Sequence, residues 1–459
     1  MRSDVLVIGG GNAALCAAIS ARRQGASVLV VESAPKFYRG GNTRHTRNMR
    51  CAHESATATL TGPYTEEEFW EDLRRVTQGN TDETLARHMI GESGDVLDWI
   101  QAQGVRLQPA IGGTLSLGRT NAFFRGGGRA MLNSLYRTAL ELGVEVRYEA
   151  EVTDLRIEGG VFKSAVSGHE PNPTRIVASA MVAACGGFEA NIEWLREAWG
   201  DAADNFLIRG TPYNRGSVLK MLLEQGVASV GDAAQCHAIA IDARSPRFDG
   251  GIVTRLDCVI FGIVVNDQGQ RFYDEGEDLW PRRYAIWGRL IAAQPNQIAY
   301  AIVDKGDERH FLPSLYPPIE AATVDELATV LGLEAPALSA TIDAFNAAVV
   351  PGHFDHTVLD DCRTEGLDPP KSHWARPLRG PFCAYPLKPG ITFTYLGTRV
   401  DEDARLVLAN GKKADNMFAA GEIMAGNILG SGYAAGVGMT IGSVFGRIAG
   451  REAARHVLG

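Results

Sequence analysis

The sequence predicts an α/β fold, with a three-layer domain built from both ends of the chain and an inserted α+β capping domain. Three observations favour it. Residues 4–31 read as strand, glycine turn, helix and strand, which is the βαβ unit of a parallel sheet. From residue 236 the chain changes to short strand-like runs rich in arginine and aromatic residues. At residue 391 apolar strands resume, and a glycine-rich helix follows.

These changes predict a domain division into residues 1–235, 236–365 and 366–459, with the first and third ranges forming one domain. Helices are predicted over residues 65–104, because TEEEFWEDLRRV opens with threonine and an acidic first turn. A further helix is predicted over residues 126–142, after a glycine run.

Strand patterns occupy the rest of the first range. Residues 144–166 read as short strands with a turn at Gly159-Gly160. Residues 181–187 predict a buried strand that ends in glycines, and residues 322–348 predict one or two helices of the capping domain.

Composition excludes several classes of protein. The 459 residues are 45% hydrophobic and carry a formal net charge of −9, as in a globular protein without a basic face for nucleic acid. The seven cysteines form no C-x-x-C pair, so neither a disulfide scaffold nor a metal site is predicted. No signal peptide or apolar run of about 20 residues occurs. We expect a cytoplasmic protein without a transmembrane segment, and peripheral association at the inner face of the membrane stays open.

The glycine turn matches a nucleotide-binding fingerprint. GGGNAA at residues 9–14 fits G-x-G-x-x-G/A: Gly9 makes the tight turn, Gly11 admits a pyrophosphate, and Ala14 lets the helix pack on the strand. The helix N-terminus favours phosphate, and Glu32 can accept hydrogen bonds from a ribose. An acid there disfavours NADP but does not separate NAD from FAD.

Three further motifs separate the cofactors. RGGNT at residues 39–43, DNMFAAGE at 415–422 and GSGYAAGVGMT at 430–440 together resemble the fumarate reductase/succinate dehydrogenase flavoprotein superfamily. The resemblance implies a Rossmann-like FAD-binding domain, with the inserted region as a cap, and FAD as the cofactor.

The resemblance also implies the roles of individual residues. Thr43 would lie near flavin N5, Glu422 would bind the ribityl chain, and the backbone of residues 438–440 would face the N1/O2 edge. Asn42 stands where some relatives carry a histidine that binds FAD covalently, so non-covalent FAD is predicted. The predicted cofactor-binding residues are Gly9, Gly11, Asn12, Ala13, Ala14, Glu32, Ser33, Gly40, Gly41, Asn42, Thr43, Val152, Gly186, Gly187, Gly421, Glu422, Gly438, Met439 and Thr440.

Within the superfamily, three runs most resemble the FAD-dependent tricarballylate dehydrogenase family: GGNTRHTRNMRCAHE at 40–54, GRTNAFFRGGGRA at 118–130 and GEIMAGNILGSGYAAGVGMTIG at 421–442. That resemblance implies oxidation of tricarballylate to cis-aconitate by hydride transfer to flavin N5. A cobalamin-pathway flavoprotein is closely similar over the same runs and stays an alternative.

The capping region is rich in arginine, which pairs with carboxylates in a planar, bidentate way. In fumarate reductases the proton-transfer arginine follows a motif that reads NDQGQRFYDE at residues 266–275 here. By this resemblance Arg283 is predicted to transfer the proton, with Arg282 as the alternative. Since arginine has a pKa above about 12, it is a reluctant base, and the direction of the reaction stays open.

Further residues are predicted to bind the substrate. Arg255 replaces the glutamate of the fumarate reductase proton relay and is interpreted as a substrate anchor. His237 matches the superfamily's substrate-binding histidine, and Tyr433 could donate a hydrogen bond to the substrate. The tail lacks the usual second histidine and arginine, which disfavours fumarate or succinate and favours another di- or tricarboxylate.

Other functions stay open at this point: a fumarate reductase-like enzyme, a 3-ketosteroid dehydrogenase-like enzyme, or a flavin redox carrier subunit. The arginine-rich cap argues against the last two. No iron–sulfur or haem motif occurs, so electrons must leave to another molecule. The resemblance implies a separate, membrane-associated iron–sulfur protein as the electron acceptor.

Overall fold

The computed structural model describes residues 1–109, 117–168 and 171–459. Two large sheets with helices around them give a mixed α/β architecture, so the predicted fold class is confirmed. The α-helices span Asn12–Arg23, Glu66–Thr77, Glu83–Gly91, Ser93–Ala102, Gly127–Glu141, Ile192–Trp199, Ser217–Glu224, Trp280–Arg283, Trp287–Ala292, Val324–Leu331, Ala335–Ala348 and Val437–Leu458.

The first sheet has eight strands and joins the two ends of the chain. Its main path runs through Arg405–Val407, Lys413–Ala419, Thr174–Ala183, Arg2–Ile8, Val28–Val31 and Glu145–Arg147. All pairings from Lys413–Ala419 onward are parallel, and the hairpin Val152–Glu158 with Val161–Ser167 adds the remaining two strands. The N-terminal strand is therefore central, as a βαβ unit requires.

The first and last helices cross closely over this sheet. A Cβ atom at Gly446 would lie 2.5 Å from the carbonyl oxygen of Ala13, and one at Gly450 would lie 2.1 Å from that of Ala17. Such distances exclude any side chain, so these glycines of the C-terminal helix let the backbones meet. This contact fixes the N-terminus of Asn12–Arg23 beside that of Val437–Leu458.

The second sheet has six strands and forms the core of the cap. They are Leu207–Ile208, Cys236–Asp242, Ile263–Asn266, Ala299–Asp304, Ile319–Ala321 and Phe382–Thr394. The long strand Phe382–Thr394 pairs with four of the others. Since strands before residue 236 and after residue 365 take part, we propose that the cap extends to Leu207–Ile208 and Phe382–Thr394 beyond its predicted range.

Three features of the rest of the molecule bear on function. No helix among the described residues is both long and apolar enough to span a bilayer. All seven cysteines are free, and six of them are buried. The described residues contain no group of histidine, cysteine, aspartate and glutamate suited to hold a metal ion.

Candidate active site

A cavity opens at the carboxyl ends of the parallel strands of the first sheet. The residues that follow those strands line it, among them Gly9, Glu32, Ala184 and Ala420. Ligands of open α/β sheets bind at this edge. The cavity continues into the cap, so one space reaches both parts of the molecule.

The glycine turn after the first strand is shaped to hold a ligand. Gly9 has φ +113°, and a Cβ there would lie 2.2 Å from the carbonyl oxygen of Ala184, so only glycine fits. Gly11 has an ordinary φ of −79°, and the nearest atom to a Cβ would be Thr43 Oγ1 at 3.4 Å. Gly11 thus keeps open a space into which the protein itself does not pack. The helix that begins at Asn12 has no side-chain cap, which suits a phosphate at its N-terminus.

Glu32 connects this turn to the next wall of the cavity. Its carboxylate accepts hydrogen bonds from the backbone N–H of Ala34 at 3.0 Å and of Gly40 at 3.1 Å. Burial raises the pKa of Glu32, whereas these backbone hydrogen bonds lower it. The side chain orients the loop that leads to Gly41 and Thr43, and it also lines the cavity.

Most of the predicted FAD residues line this one cavity. The exceptions are Ala14, Gly187 and Thr440, which lie behind its wall. Ala14 is fully buried in the core, a Cβ at Gly187 would lie 2.3 Å from Glu422 Oε1, and the Thr440 hydroxyl donates to the carbonyl of Arg50. These three residues support the wall of the cavity from behind and do not face the cavity itself. The open glycine turn at residues 9–11, the helix without a side-chain cap and the acid after the second strand fit FAD. We call this group the flavin cradle.

Asn42 is fully engaged with the protein. Its Nδ2 donates to Glu189 and, at 2.6 Å, to the carbonyl of Thr392, while its Oδ1 accepts the N–H of Thr211 at 2.8 Å. The amide therefore ties the loop of residues 40–43, which we call the flavin-side loop, to the cap. Non-covalent FAD stays a prediction that this arrangement favours, since a structural amide replaces the linking histidine.

Glu189 and Glu422 form a carboxyl pair beneath this loop. Both are buried and hydrogen-bond to each other, and Glu422 also accepts the N–H of Thr394 at 2.8 Å. Asn214 donates to Glu189 at 2.7 Å. Burial raises the pKa of both carboxyls, and the charge of Glu189 raises that of Glu422 further. One proton shared by the pair satisfies these conditions.

This pair predicts a pH effect on stability. Because the folded-state pKa values are raised, the folded protein binds more protons than the unfolded chain at pH values above the ordinary glutamate pKa of about 4.3. The contribution of the pair to stability therefore falls as the pH rises above that value. Glu189→Gln keeps the amide contacts and removes one acid. We expect it to stabilise the protein by about 1–2 kcal/mol at pH 8 and by little at pH 5. Thermal unfolding at both pH values measures this, with exposed Glu158→Gln as the control. An equal gain at both pH values would contradict it.

Three arginines meet at the cap end of the cavity: Arg47, Arg209 and Arg255. The Arg209 side chain is buried, and its Nε and Nη1 atoms have no hydrogen-bond partner among the described residues. Nη2 of Arg255 is likewise unpartnered, although its Nε donates to Asp257 at 2.7 Å. Burial, together with repulsion by Arg255, lowers the pKa of Arg47 and of Arg209 to about 10. Arg47 and Arg209 therefore stay cationic at neutral pH, and Asp257 is the one carboxylate of the described residues that is hydrogen-bonded to the group.

Aromatic rings form the wall beside these cations. His237 stacks on Tyr433 with ring centroids 3.9 Å apart and meets the edge of Tyr284 at 5.8 Å. The guanidinium of Arg255 lies 3.9 Å from the ring centre of Tyr284. Burial, then the charge of Arg209, holds the pKa of His237 well below its usual range, so the imidazole is neutral. The Tyr433 hydroxyl accepts the N–H of Gly438 at 3.2 Å, which leaves its own proton free to donate.

Arg282 and Arg283 lie elsewhere, on a second cavity that shares Tyr433 with the first. Arg283 donates to Glu277 at 2.7 Å and to the Tyr273 hydroxyl at 2.6 Å, and Arg282 lies 3.9 Å from Asp278. Their proton-transfer role stays a prediction, but neither lines the main cavity. The next residue along the chain, Tyr284, does line the main cavity.

Sequence reasoning missed Arg47, Arg209, His45 and Tyr284. One signal could have found the two arginines: neither has an acidic residue within four positions along the chain. Several other cap arginines have such a neighbour and pair with it. Arg244 binds Asp242 at 2.6 Å, and Arg271 binds Glu275 at 2.5 Å.

Comparison with known proteins agrees with this geometry. A family model described as an FAD binding domain matches residues 4–439. NADH:fumarate oxidoreductase of Klebsiella pneumoniae is 26% identical over 92% of this chain and 44% of its own length. The probable fumarate reductase Ifc3 of Shewanella frigidimarina is 27% identical over 92% of this chain and 70% of its own length.

A solved structure shares the fold. The open conformation of a flavocytochrome c3 fumarate reductase superposes with a TM-score of 0.76 and 24% identity, covering 100% of this chain and 79% of that one. The chain thus spans less than half of the Klebsiella relative and more of the other two. It belongs to the FAD binding domain family.

Proposed function

We propose that the protein dehydrogenates a small polycarboxylate, with the oxidation of tricarballylate to cis-aconitate as the first candidate. The observation that carries this proposal is the convergence of Arg47, Arg209 and Arg255 in the same cavity as the flavin cradle. Arg209 and Arg255 still have unpartnered guanidinium nitrogens among the described residues.

The charge balance of the site favours a polyanion. Burying a cation without a partner is unfavourable, and a second cation nearby increases that cost. In the described part of the chain, Asp257 alone bonds to the group, through Arg255. A substrate with two or three carboxylates would offset the remaining charge and satisfy the free N–H groups in bidentate geometry. A neutral steroid would leave the same cations uncompensated, so the 3-ketosteroid reading is disfavoured.

The residues then position the reacting carbons. Bound FAD supplies the two-electron acceptor, which takes a hydride from one carbon of the substrate. Arg209 and Arg255 would hold carboxylates, and the His237–Tyr433 stack would cover the substrate and exclude water. Neutral His237 suits a hydrogen bond to a carboxylate oxygen, since it adds no fourth charge.

The electron acceptor and location are proposed from the resemblance alone. We propose that the reduced flavin passes its electrons to a separate, membrane-associated iron–sulfur protein. The protein would act in the cytoplasm, bound peripherally at the inner face of the membrane when it transfers electrons.

Anaerobic titration of the flavin-loaded protein tests the function. Tricarballylate is expected to bleach the flavin absorbance near 450 nm in a stoichiometric reaction, because the three cations match its carboxylates. Succinate and a steroid, 4-androstene-3,17-dione, provide the comparison arms, and cis-aconitate added to reduced protein tests the reverse direction.

The arms separate the alternatives. Bleaching by tricarballylate with formation of cis-aconitate supports the proposal. Bleaching by the steroid alone would replace it with a 3-ketosteroid dehydrogenase-like function. Bleaching by succinate with no response to tricarboxylates would replace it with a fumarate reductase-like function. A flavin that responds to none of these acids would contradict the assignment of a polycarboxylate substrate.

A further inference from the structure

A histidine–aspartate pair lies in the wall of the main cavity and has no part in the function described above. His45 lines the cavity, and its Nε2 lies 2.5 Å from Asp249 Oδ1. Among the described residues the other ring nitrogen, Nδ1, has no hydrogen-bond partner. A Cβ at Gly251 would lie 2.7 Å from Nδ1, so only a residue without a side chain fits beside that nitrogen.

The pair lies between the flavin cradle and the cations. His45 ends the short helix Gly41–His45, which carries Thr43, and Arg47 follows two residues later. All three side chains line the same cavity. On the other side, the N–H of Asp249 donates to the carbonyl of Gly210 at 2.7 Å, and the N–H of Gly251 donates to that of Arg209 at 2.9 Å. The loop that orients His45 is thus bonded to the segment that carries a substrate-binding cation.

Dehydrogenation needs a group that accepts a proton from carbon, and the arginines, His237 and the tyrosines of the cation end of the cavity suit this poorly. Arginine is protonated at neutral pH. His237 is surrounded by Arg209, Arg255 and Arg289, whose charges oppose a further positive charge on the imidazole. Burial raises the pKa of Tyr284 and of Tyr433, so both phenols stay protonated. His45 alone among these groups has a bonded carboxylate that would stabilise its imidazolium.

We propose that His45 is the general base of the reaction and that Asp249 is the residue that positions it. This inference rests on the proposed function. Nδ1 of His45 takes a proton from the carbon next to a substrate carboxylate, and the electron pair of that C–H bond becomes the new C=C bond. The neighbouring carbon loses its hydrogen with the bonding pair, as a hydride, to the oxidised FAD. The substrate loses two electrons and two hydrogens, and the cofactor gains the hydride while His45 keeps the proton.

The charges around His45 fit a base. Asp249 faces Nε2, and the guanidinium groups of Arg44 and Arg209 lie nearby. Burial lowers the pKa of His45 below its ordinary value, the two arginines lower it further, and Asp249 opposes this shift. The imidazole is therefore neutral at neutral pH and can accept a proton. The rate of flavin reduction should rise with pH through the His45 pKa and then level off.

Stopped-flow reduction of the flavin-loaded protein by tricarballylate tests the assignment. His45→Gln, which can still donate to Asp249, is expected to reduce the rate of flavin reduction by roughly 10²–10⁴-fold. It should also abolish the rise of that rate with pH, which we call the pH limb. Its Kd for cis-aconitate, measured by calorimetry, should stay within about threefold of the parent value, because the arginines carry the binding. Asp249→Asn should move the limb to lower pH, since it removes the charge that raises the His45 pKa.

His456→Gln, an exposed change on the C-terminal helix, is the matched control and should match the parent in all three measurements. A His45→Gln variant with the parent rate and an unchanged pH limb would overturn the assignment, as would one that loses only affinity for cis-aconitate. If no polycarboxylate reduces the parent protein, the proposed function itself fails, and the assignment of His45 fails with it.

Discussion

Arg209→Met is expected to abolish flavin reduction by a polycarboxylate while FAD stays bound. The guanidinium is buried and keeps two unpartnered nitrogens that point to a missing anion. Losing one partner of a buried charge pair costs about 2–5 kcal/mol, so substrate affinity should fall by at least about thirtyfold. The Kd for cis-aconitate and kcat/KM for tricarballylate measure this directly.

The same substitution is expected to leave the fold intact or to stabilise it. Burial and the charge of Arg255 both lower the pKa of Arg209, which means that its charge is unfavourable in the folded protein without substrate. Methionine, which has a side chain of similar length, removes that charge. Substitutions in functional sites often raise the stability of the fold in this way while activity is lost. Arg156→Met, on an exposed hairpin, is the control. A variant that binds cis-aconitate as tightly as the parent would remove Arg209 from the substrate site.

The local elements were predictable because short-range physics decides them. The glycine turn and apolar runs of residues 4–31 give the strand Arg2–Ile8, the helix Asn12–Arg23 and the strand Val28–Val31. The helix predicted over 126–142 is Gly127–Glu141, and Gly126 precedes it in the left-handed conformation that glycine adopts readily, with φ +80°. Here the residues that set the boundary lie next to it in sequence.

The cation group was not predictable in this way. Arg209 follows Leu207–Ile208, a two-residue strand that exists only because it pairs with Phe382–Thr394, far along the chain. Arg47 follows the flavin-side loop, and the two residues meet only when the cap closes over the first sheet. The resemblance-based choice of Arg283 failed to reach the main cavity for a similar reason. A local alignment cannot show that Glu277 and Tyr273 hold that side chain on the second cavity.

The flavin side of the site was predicted more completely than the substrate side. Backbone geometry makes the cradle, and glycine is the residue type that reveals such geometry in a sequence. The substrate side is made of long side chains, and their local sequence does not show where they point. Arg255 and Arg271 both pair with an acid within four positions, yet of these two only Arg255 lines the main cavity.

Gly11→Val is expected to produce a folded, colourless protein. A Cβ at this position meets no protein atom closer than Thr43 Oγ1 at 3.4 Å, and φ is −79°, so the apoprotein should tolerate the change. The added methyl groups would instead fill the space predicted for the FAD pyrophosphate. We expect FAD affinity to fall by at least about a hundredfold, or about 2.7 kcal/mol.

Flavin absorbance per chain after purification and after incubation with excess FAD measures the loss, and far-ultraviolet circular dichroism shows whether the fold persists. Gly79→Ala, at a turn with open space around it, is the matched control. Its φ is +77°, so this control can lose some stability but should bind FAD normally. The two variants thereby separate occupation of the cradle from destabilisation of the fold. A Gly11→Val protein that stays yellow with parent affinity would place the dinucleotide elsewhere, and the arginine group would then no longer share a cavity with the cofactor.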